Sequence, residues 1–490
     1  MEAARVVRTA YGEVGGRVEQ GVSAYLGIPY AAPPFGPRRF QRPQPPEPWD
    51  GVRDATAHGP TAPKPPYPHA FAVLLPDPDI EGEDCLNLNV WTPDPGASGL
   101  PVLVWIHGGA FRNGSGAIDV YSGARFARDG AVCVTINYRL GVEGFAHLPG
   151  APANRGLLDQ IAALEWVRDN IAAFGGDPGE VTVFGESAGA MSVVTLLSLD
   201  LGLFRRAVAQ SGAGQVVQTA EDALLVTRET AARLGVEPTA EGFAAVAPRD
   251  VLRVQAAVAA EVTAMPDPAR WGVSTCRNGM SLTPVLDGEL LREVPADAIA
   301  AGAGRDVDLL IGCTAEEFRL FLVPTGLAAA VTPELVGPIA AGMGTPQRVV
   351  EAHLAAPGDA TPGDRLAAII TETLFRTPAE RVALAHGPRT WFYEFAWASP
   401  VEGLGACHAL EIGFVFDTLD LPGNRPLGGP HPPQELADAM HGAWLAFARG
   451  EGPGWEPFDA GARRVKVFDG EKNPVVEDPR PERRALWAED

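Results

Sequence analysis

Between Val181 and Leu199 the chain reads as a strand, a tight reversal and a helix with nothing between them: Val181-Thr182-Val183-Phe184, then Gly185-Glu186-Ser187-Ala188-Gly189, then the helix-like run Met191 to Leu199. A reversal this tight holds the residue at its apex in a strained backbone region. Side chains two positions to either side would clash, which is why glycine is needed at 185 and 189. A serine at such an apex projects its hydroxyl past the carboxyl edge of a strand, where open α/β sheets bind ligands. Ser187 is therefore the candidate nucleophile.

The rest of the chain alternates short β-branched or apolar runs with helical patterns, the signature of a mostly parallel sheet covered on both faces. Strands are predicted at Pro101–Ile106, Ala131–Tyr138, Val181–Phe184, Arg206–Gln210, Val307–Ile311 and Thr390–Phe395. Leu157, Ile161, Leu164, Trp166, Val167 and Ile171 recur at helical spacing, predicting a crossover helix over Leu157–Phe174 that Gly175, Gly176 and Pro178 end. Twelve prolines in the 36 residues from Pro33 to Pro68 exclude a helix or a central strand, so this segment is expected to be ordered loop. It is a rigid surface connection or a lip beside a substrate pocket. Residues 327–384 read as partly helical, a flank or cap that carries no motif. No repeat or low-complexity linker divides the chain, so its 490 residues are expected to form a single domain.

Composition narrows the function classes. With 39 basic and 61 acidic residues the formal charge is -22, which repels phosphate backbones and anionic lipid surfaces and argues against nucleic acid as a partner. No uncharged stretch reaches the roughly 18 apolar residues of a membrane span. The first eight residues mix acidic and basic side chains with no apolar run behind them, unlike a secretory signal. The five cysteines, Cys85, Cys133, Cys276, Cys313 and Cys407, are odd in number and scattered, without a Cys-x-x-Cys pair. Reduced thiols in a cytoplasmic protein are the expectation, with no metal and no organic cofactor.

Upstream of the elbow, His107-Gly108-Gly109-Ala110-Phe111 follows the strand ending at Ile106. Two glycines after a strand let the backbone turn its amides toward a developing oxyanion. Gly108 and Gly109 are the candidate donors, with the amide of Ala188 as the third; Ala188 also opens a helix, whose dipole favours negative charge. A serine needs a base, and on this topology the order is nucleophile, acid, histidine. That order removes His58, His69, His107 and His147. Of His353, His386, His408, His431 and His441, His408 is the choice because it lies in a loop following the strand Thr390–Phe395, whereas His353 and His441 lie in helical patterns and His386 precedes the strand. The orienting carboxylate should follow Val307–Ile311, and Glu316 and Glu317 are both placed to serve.

Together these residues resemble the type-B carboxylesterase family, the carboxylesterase and cholinesterase group of α/β hydrolases, in a bacterial-type form. The resemblance runs through Gly27-Ile28-Pro29-Tyr30-Ala31, Glu83-Asp84-Cys85-Leu86-Asn87-Leu88-Asn89-Val90, His107-Gly108-Gly109, Asn137-Tyr138-Arg139-Leu140-Gly141, Phe174-Gly175-Gly176-Asp177-Pro178, the Glu-Ser-Ala-Gly elbow and Gln210-Ser211-Gly212. It implies an α/β-hydrolase fold, a central mostly parallel sheet flanked by helices, with long loop and helical insertions around the active site. It also implies a triad of Ser187, His408 and an acid that falls on Glu317, with Glu186 supporting a charged His408 and Ser211 as a neighbouring hydrogen-bonding residue. Phe318 replaces the glycine usual after the acid, and Glu316 the aspartate before it. Cys85 stands where secreted relatives place half of a disulfide, but no cysteine precedes it. The sequon Asn113-Gly114-Ser115 abuts the oxyanion loop and is read as chance.

The expected activity is hydrolysis of neutral carboxylic esters through an acyl-enzyme on Ser187. An amidase or acyltransferase would use the same residues. A catalytically dead binding protein on this fold would lack the serine or histidine. The partner is a small-molecule ester, a monomer is favoured, and the acyl and alcohol pockets are expected within Pro60–Ile80, Ala264–Met280 and Leu320–Thr325.

Overall fold

The structure is a computed structural model and describes residues 2–19 and 21–488. Its main sheet has eleven strands: β1 (Arg17–Glu19), β2 (Val22–Pro29), β3 (Asn87–Thr92), β4 (Leu100–Ile106), β5 (Val132–Ile136), β6 (Gly176–Glu186), β7 (Arg206–Gln210), β8 (Asp308–Thr314), β9 (Thr390–Phe395), β10 (Arg464–Phe468) and β11 (Val475–Glu477). They lie in the order β11-β10-β9-β8-β7-β6-β4-β5-β3-β2-β1. From β10 through to β5 every neighbouring pair is parallel, and antiparallel strands close both edges. The layout is that of an α/β hydrolase. Parallel strands must be buried on both faces, which explains why β4, β5 and β8 are almost continuously apolar.

The longer helices used below are α1 (Arg155–Asn170), α2 (Ala188–Leu197), α3 (Pro248–Ala264), α4 (Pro333–Gly342), α5 (Gln347–Ala355), α6 (Pro362–Thr371) and α7 (Thr377–His386). The crossover helix α1 begins two residues earlier than its periodicity predicts, and its last turn tightens to a 3-10 turn over Ile171–Phe174 before Gly175 at φ +87° ends it. Strand β6 extends further back than Val181, to Gly176, because it pairs with Leu100 through the Gly-Asp-Pro-Gly stretch that reads locally as a turn. Strand β8 runs on to Thr314, which delays the loop carrying the acid.

The parallel register places the functional loops at one edge. Ile106 aligns with Gly185, Gly185 with Ala209, Ala209 with Ile311, and Thr314 with Phe395. The loops leaving β4, β6, β8 and β9 therefore start at nearly the same height. Residues 327–384 form α4 to α7 around a small core of Leu322, Val336, Ala340, Val350, Leu366, Ile369 and Ile370. Between α6 and α7 a single π-helical turn, Glu372–Arg376, carries Phe375. The proline-rich segment is loop, as expected, apart from a 3-10 turn at Gly36–Arg38 and the three-residue strand Val52–Asp54, which lies in its proline-free window. All five cysteines are buried and unpaired. Among the described residues no helix is long and apolar enough to cross a membrane.

Candidate active site

Ser187 has φ 56° and ψ -124°, the strained apex expected of the elbow, and α2 starts directly after it. The reversal is this close because α2 abuts β4. A Cβ on Gly189 would lie 2.0 Å from the carbonyl oxygen of Ile106, and one on Gly185 would lie 2.7 Å from the same atom. The helix therefore begins at Ala188 rather than Met191. The serine side chain opens onto a cavity of about 740 Å³ and makes no hydrogen bond among the described residues.

The loop after β4 sits against this apex. Gly109 is at φ 110°, and Ala110 and Phe111 at 53° and 57°, so the chain coils tightly. Among the described residues the amides of Gly108, Gly109 and Ala188 find no acceptor, whereas the amides of Arg112 and Asn113 donate to the Gly109 carbonyl at 3.1 and 2.9 Å. His107 braces the loop from behind. It is buried, stacks on Tyr138 at 4.5 Å, lies 2.8 Å from the Gly108 carbonyl through Nδ1, and burial drives its pKa down to about 3. Asn113, the sequon residue, is 2% exposed and donates to the carbonyl of Pro65.

His408 is buried on the loop after β9, its ring between Phe321 and Phe375, each 5.2 Å away. Its Nδ1 lies 2.6 Å from Glu317 Oε2, and the other oxygen of Glu317 accepts from the amide of Thr314 at 2.8 Å. Glu316 points elsewhere: it accepts from the amide of Ala406 at 3.0 Å and from Arg319 Nε at 2.7 Å. Nε2 of His408 lies 3.0 Å from Glu186 Oε1. Glu411 is also buried beside this group and accepts from Gln210 Nε2 at 3.2 Å. Burial opposes charge on the imidazole, but Glu186 and then Glu317 outweigh it and raise the His408 pKa to about 9. Burial raises Glu186 to about 8 and Glu411 to about 7. One imidazole among three buried carboxylates holds its proton to a higher pH than free imidazole does.

The structure thus brings together Ser187, His408, Glu317, Glu186, Gly108, Gly109 and Ala188. Ser211 lies at the end of β7, buried at φ 56°, and its hydroxyl has no hydrogen-bond partner among the described residues. The other downstream histidines sit apart: His353 on Glu372 at 3.2 Å, His386 on Thr390 at 2.7 Å, His441 on the Val415 carbonyl at 2.9 Å, and His431 exposed. The cavity takes residues from all three expected loops, including Phe71, Leu75, Met280 and Phe321. Leu335, Ile339, Leu366, Ile370 and Phe375 also line it. These come from 327–384, which the sequence shows only as a partly helical flank or cap without a motif. Such an arrangement can take a proton from a serine hydroxyl and stabilise an oxyanion inside a largely apolar chamber.

A model of the carboxylesterase family matches residues 3–334. The chain is 37% identical to the para-nitrobenzyl esterase of Bacillus subtilis over 98% of each protein. It is 34% identical to the phenmedipham hydrolase of Pseudarthrobacter oxydans, over 96% of this chain and 97% of that protein. Among solved structures, a carboxylesterase of Geobacillus stearothermophilus superposes with a TM-score of 0.86 at 37% identity, covering 99% of this chain and 100% of that one.

Proposed function

The chain belongs to the carboxylesterase family and is a carboxylic ester hydrolase, and on that premise we propose that it hydrolyses neutral esters through an acyl-enzyme formed on Ser187. His408 takes the serine proton at Nε2 as the hydroxyl attacks the carbonyl. Glu317 holds the Nδ1 proton and so fixes the tautomer. The amides of Gly108, Gly109 and Ala188 receive the oxyanion. Water then repeats the sequence on the acyl-enzyme. Glu186 stabilises the imidazolium that appears in each half-reaction and returns it to the neutral base at higher pH than free imidazole.

The observation that carries this reading is the set of three amides without acceptors beside a strained serine, since such donors are left unpaired where charge is to develop. The apolar lining of the cavity favours neutral acyl and alcohol groups. The whole chain is read as one domain, with residues 327–384 supplying a cavity wall. Five unpaired, buried thiols favour a reducing compartment, the cytoplasm. A panel of nitrophenyl esters graded in acyl length, with Ser187→Ala as control, tests the assignment. Equal hydrolysis by the variant removes it.

A further inference from the structure

Arginines with little exposure in this protein are almost all satisfied. Arg39 meets Glu143 at 2.6 Å, Arg139 meets Asp159 at 2.7 Å, and Arg376 meets Glu394 at 2.9 Å. Arg155 has no carboxylate contact but donates to four carbonyls, those of Val142, Glu143, Ala146 and Pro152, at 2.6–2.9 Å. Arg112 is different. It is partly buried and lines the active-site cavity with Ser187 and His408, yet its guanidinium finds no hydrogen-bond acceptor and no carboxylate among the described residues. Burial accordingly lowers its pKa, and the one titratable neighbour acting on it is Tyr67, whose phenol burial keeps protonated and neutral. Tyr67 lines the same cavity, and its hydroxyl is likewise without a partner among the described residues. Asp77, which contacts the next residues of this loop, is held by buried Lys64, by Asn113 and by the Gly114 amide.

Arg112 belongs to the coiled loop that presents the Gly108 and Gly109 amides, and its own amide donates to the Gly109 carbonyl. The guanidinium is thus carried on the oxyanion loop itself, within one side-chain length of the amides that receive the ester. A planar fork of donors lining a largely apolar chamber matches a carboxylate. We propose that Arg112 and Tyr67 form a carboxylate-binding subsite, so that this esterase accepts esters bearing a second, free carboxylate on the acyl chain or on the leaving alcohol. This rests on the ester-hydrolase reading above and extends it beyond neutral substrates. The net charge of -22 does not prevent it, because at physiological salt that field is screened over about 8 Å while Arg112 acts at contact.

The test compares kcat/KM for matched pairs: 4-nitrophenyl hemiglutarate against 4-nitrophenyl pentanoate for the acyl arm, and the butyrate ester of 4-hydroxybenzoate against phenyl butyrate for the alcohol arm. The readout is the carboxylate-to-neutral ratio in wild type, Arg112→Met, Arg112→Lys and Tyr67→Phe. In one arm Arg112→Met is expected to lower the ratio roughly 10- to 100-fold, Arg112→Lys to restore part of it, and Tyr67→Phe to lower it by a few-fold. A ratio unchanged in both arms, or equal losses on charged and neutral members, overturns the subsite. A protein that hydrolyses neither member refutes the esterase reading instead. The subsite then stands or falls on calorimetric binding of glutarate against pentanoate to Ser187→Ala, with and without Arg112→Met.

Discussion

Replacing Glu186 with glutamine isolates the electrostatics of the site. Glu186 Oε1 lies 3.0 Å from His408 Nε2, and both side chains are buried. At an effective dielectric of about 20, charges that close interact by roughly 5 kcal/mol, equivalent to about 3 to 4 pKa units. Not all of this is lost on substitution, because the glutamine carbonyl keeps its dipole toward the ring and Glu317 and Glu411 remain beside it. A fall of about 1 to 2 units is therefore expected. The sign follows from the chemistry: the base must be neutral, so kcat/KM rises as pH passes through the pKa of the imidazole, which the structure raises to about 9 from its ordinary value of 6.5. Glu186→Gln should move that rise to lower pH and also lower the plateau, roughly 10- to 100-fold, because the imidazolium of the transition state loses a counter-charge. The assay is kcat/KM for a neutral nitrophenyl ester from pH 5 to 9.5, read at the isosbestic point of nitrophenol and corrected for spontaneous hydrolysis. A rise that stays where it was, or moves to higher pH, refutes the assignment of Glu186 as the partner holding the His408 proton.

Three further substitutions test other parts of the site. Ser187→Ala should lower kcat by roughly 10⁴- to 10⁶-fold while the protein still melts cooperatively, and near-normal turnover excludes the acyl-enzyme. Glu317→Ala should cost roughly 10³-fold or more in kcat, against about 10-fold for Glu316→Ala, which only loosens the loop bonded at Ala406; the reverse ranking moves the acid by one residue. Gly189→Ala puts a methyl 2.0 Å from a backbone oxygen of β4, so α2 must shift or the elbow open. A loss of about 3 kcal/mol or more in denaturant unfolding is expected, and unchanged stability contradicts the packing.

The elbow, the glycine loop after β4 and the histidine after β9 are readable in the linear chain because each is a local demand. A strained apex needs glycine flanks, an amide cradle needs paired glycines, and a loop after a strand is visible from composition. The six strands expected from composition all form, with ends that moved at Gly176 and Thr314, where pairing carried the strand through residues that have no strand preference of their own, and at Ile136, two residues short of Tyr138, whereas β1, β2, β3, β10 and β11 carried no strand expectation. From strand and loop position alone the acid was legible only as two adjacent candidates, and it was the family resemblance that favoured Glu317. Neighbouring side chains leave a loop in different directions, and the direction depends on Glu317 and His408, 91 positions apart in the chain, closing into one contact.

The sequence by itself thus determined which residue types stand at the carboxyl edge of the sheet, and hence the class of chemistry. The tertiary structure decided the contacts through which those residues act on one another. It turned Glu317 rather than Glu316 to His408, set Glu186 against Nε2, walled the cavity with the helices of 327–384 and left Arg112 without a counter-charge. Local conformation is a property of a few neighbouring residues, whereas the charge, dielectric and shape of a buried site are sums over segments that meet only when the sheet has closed.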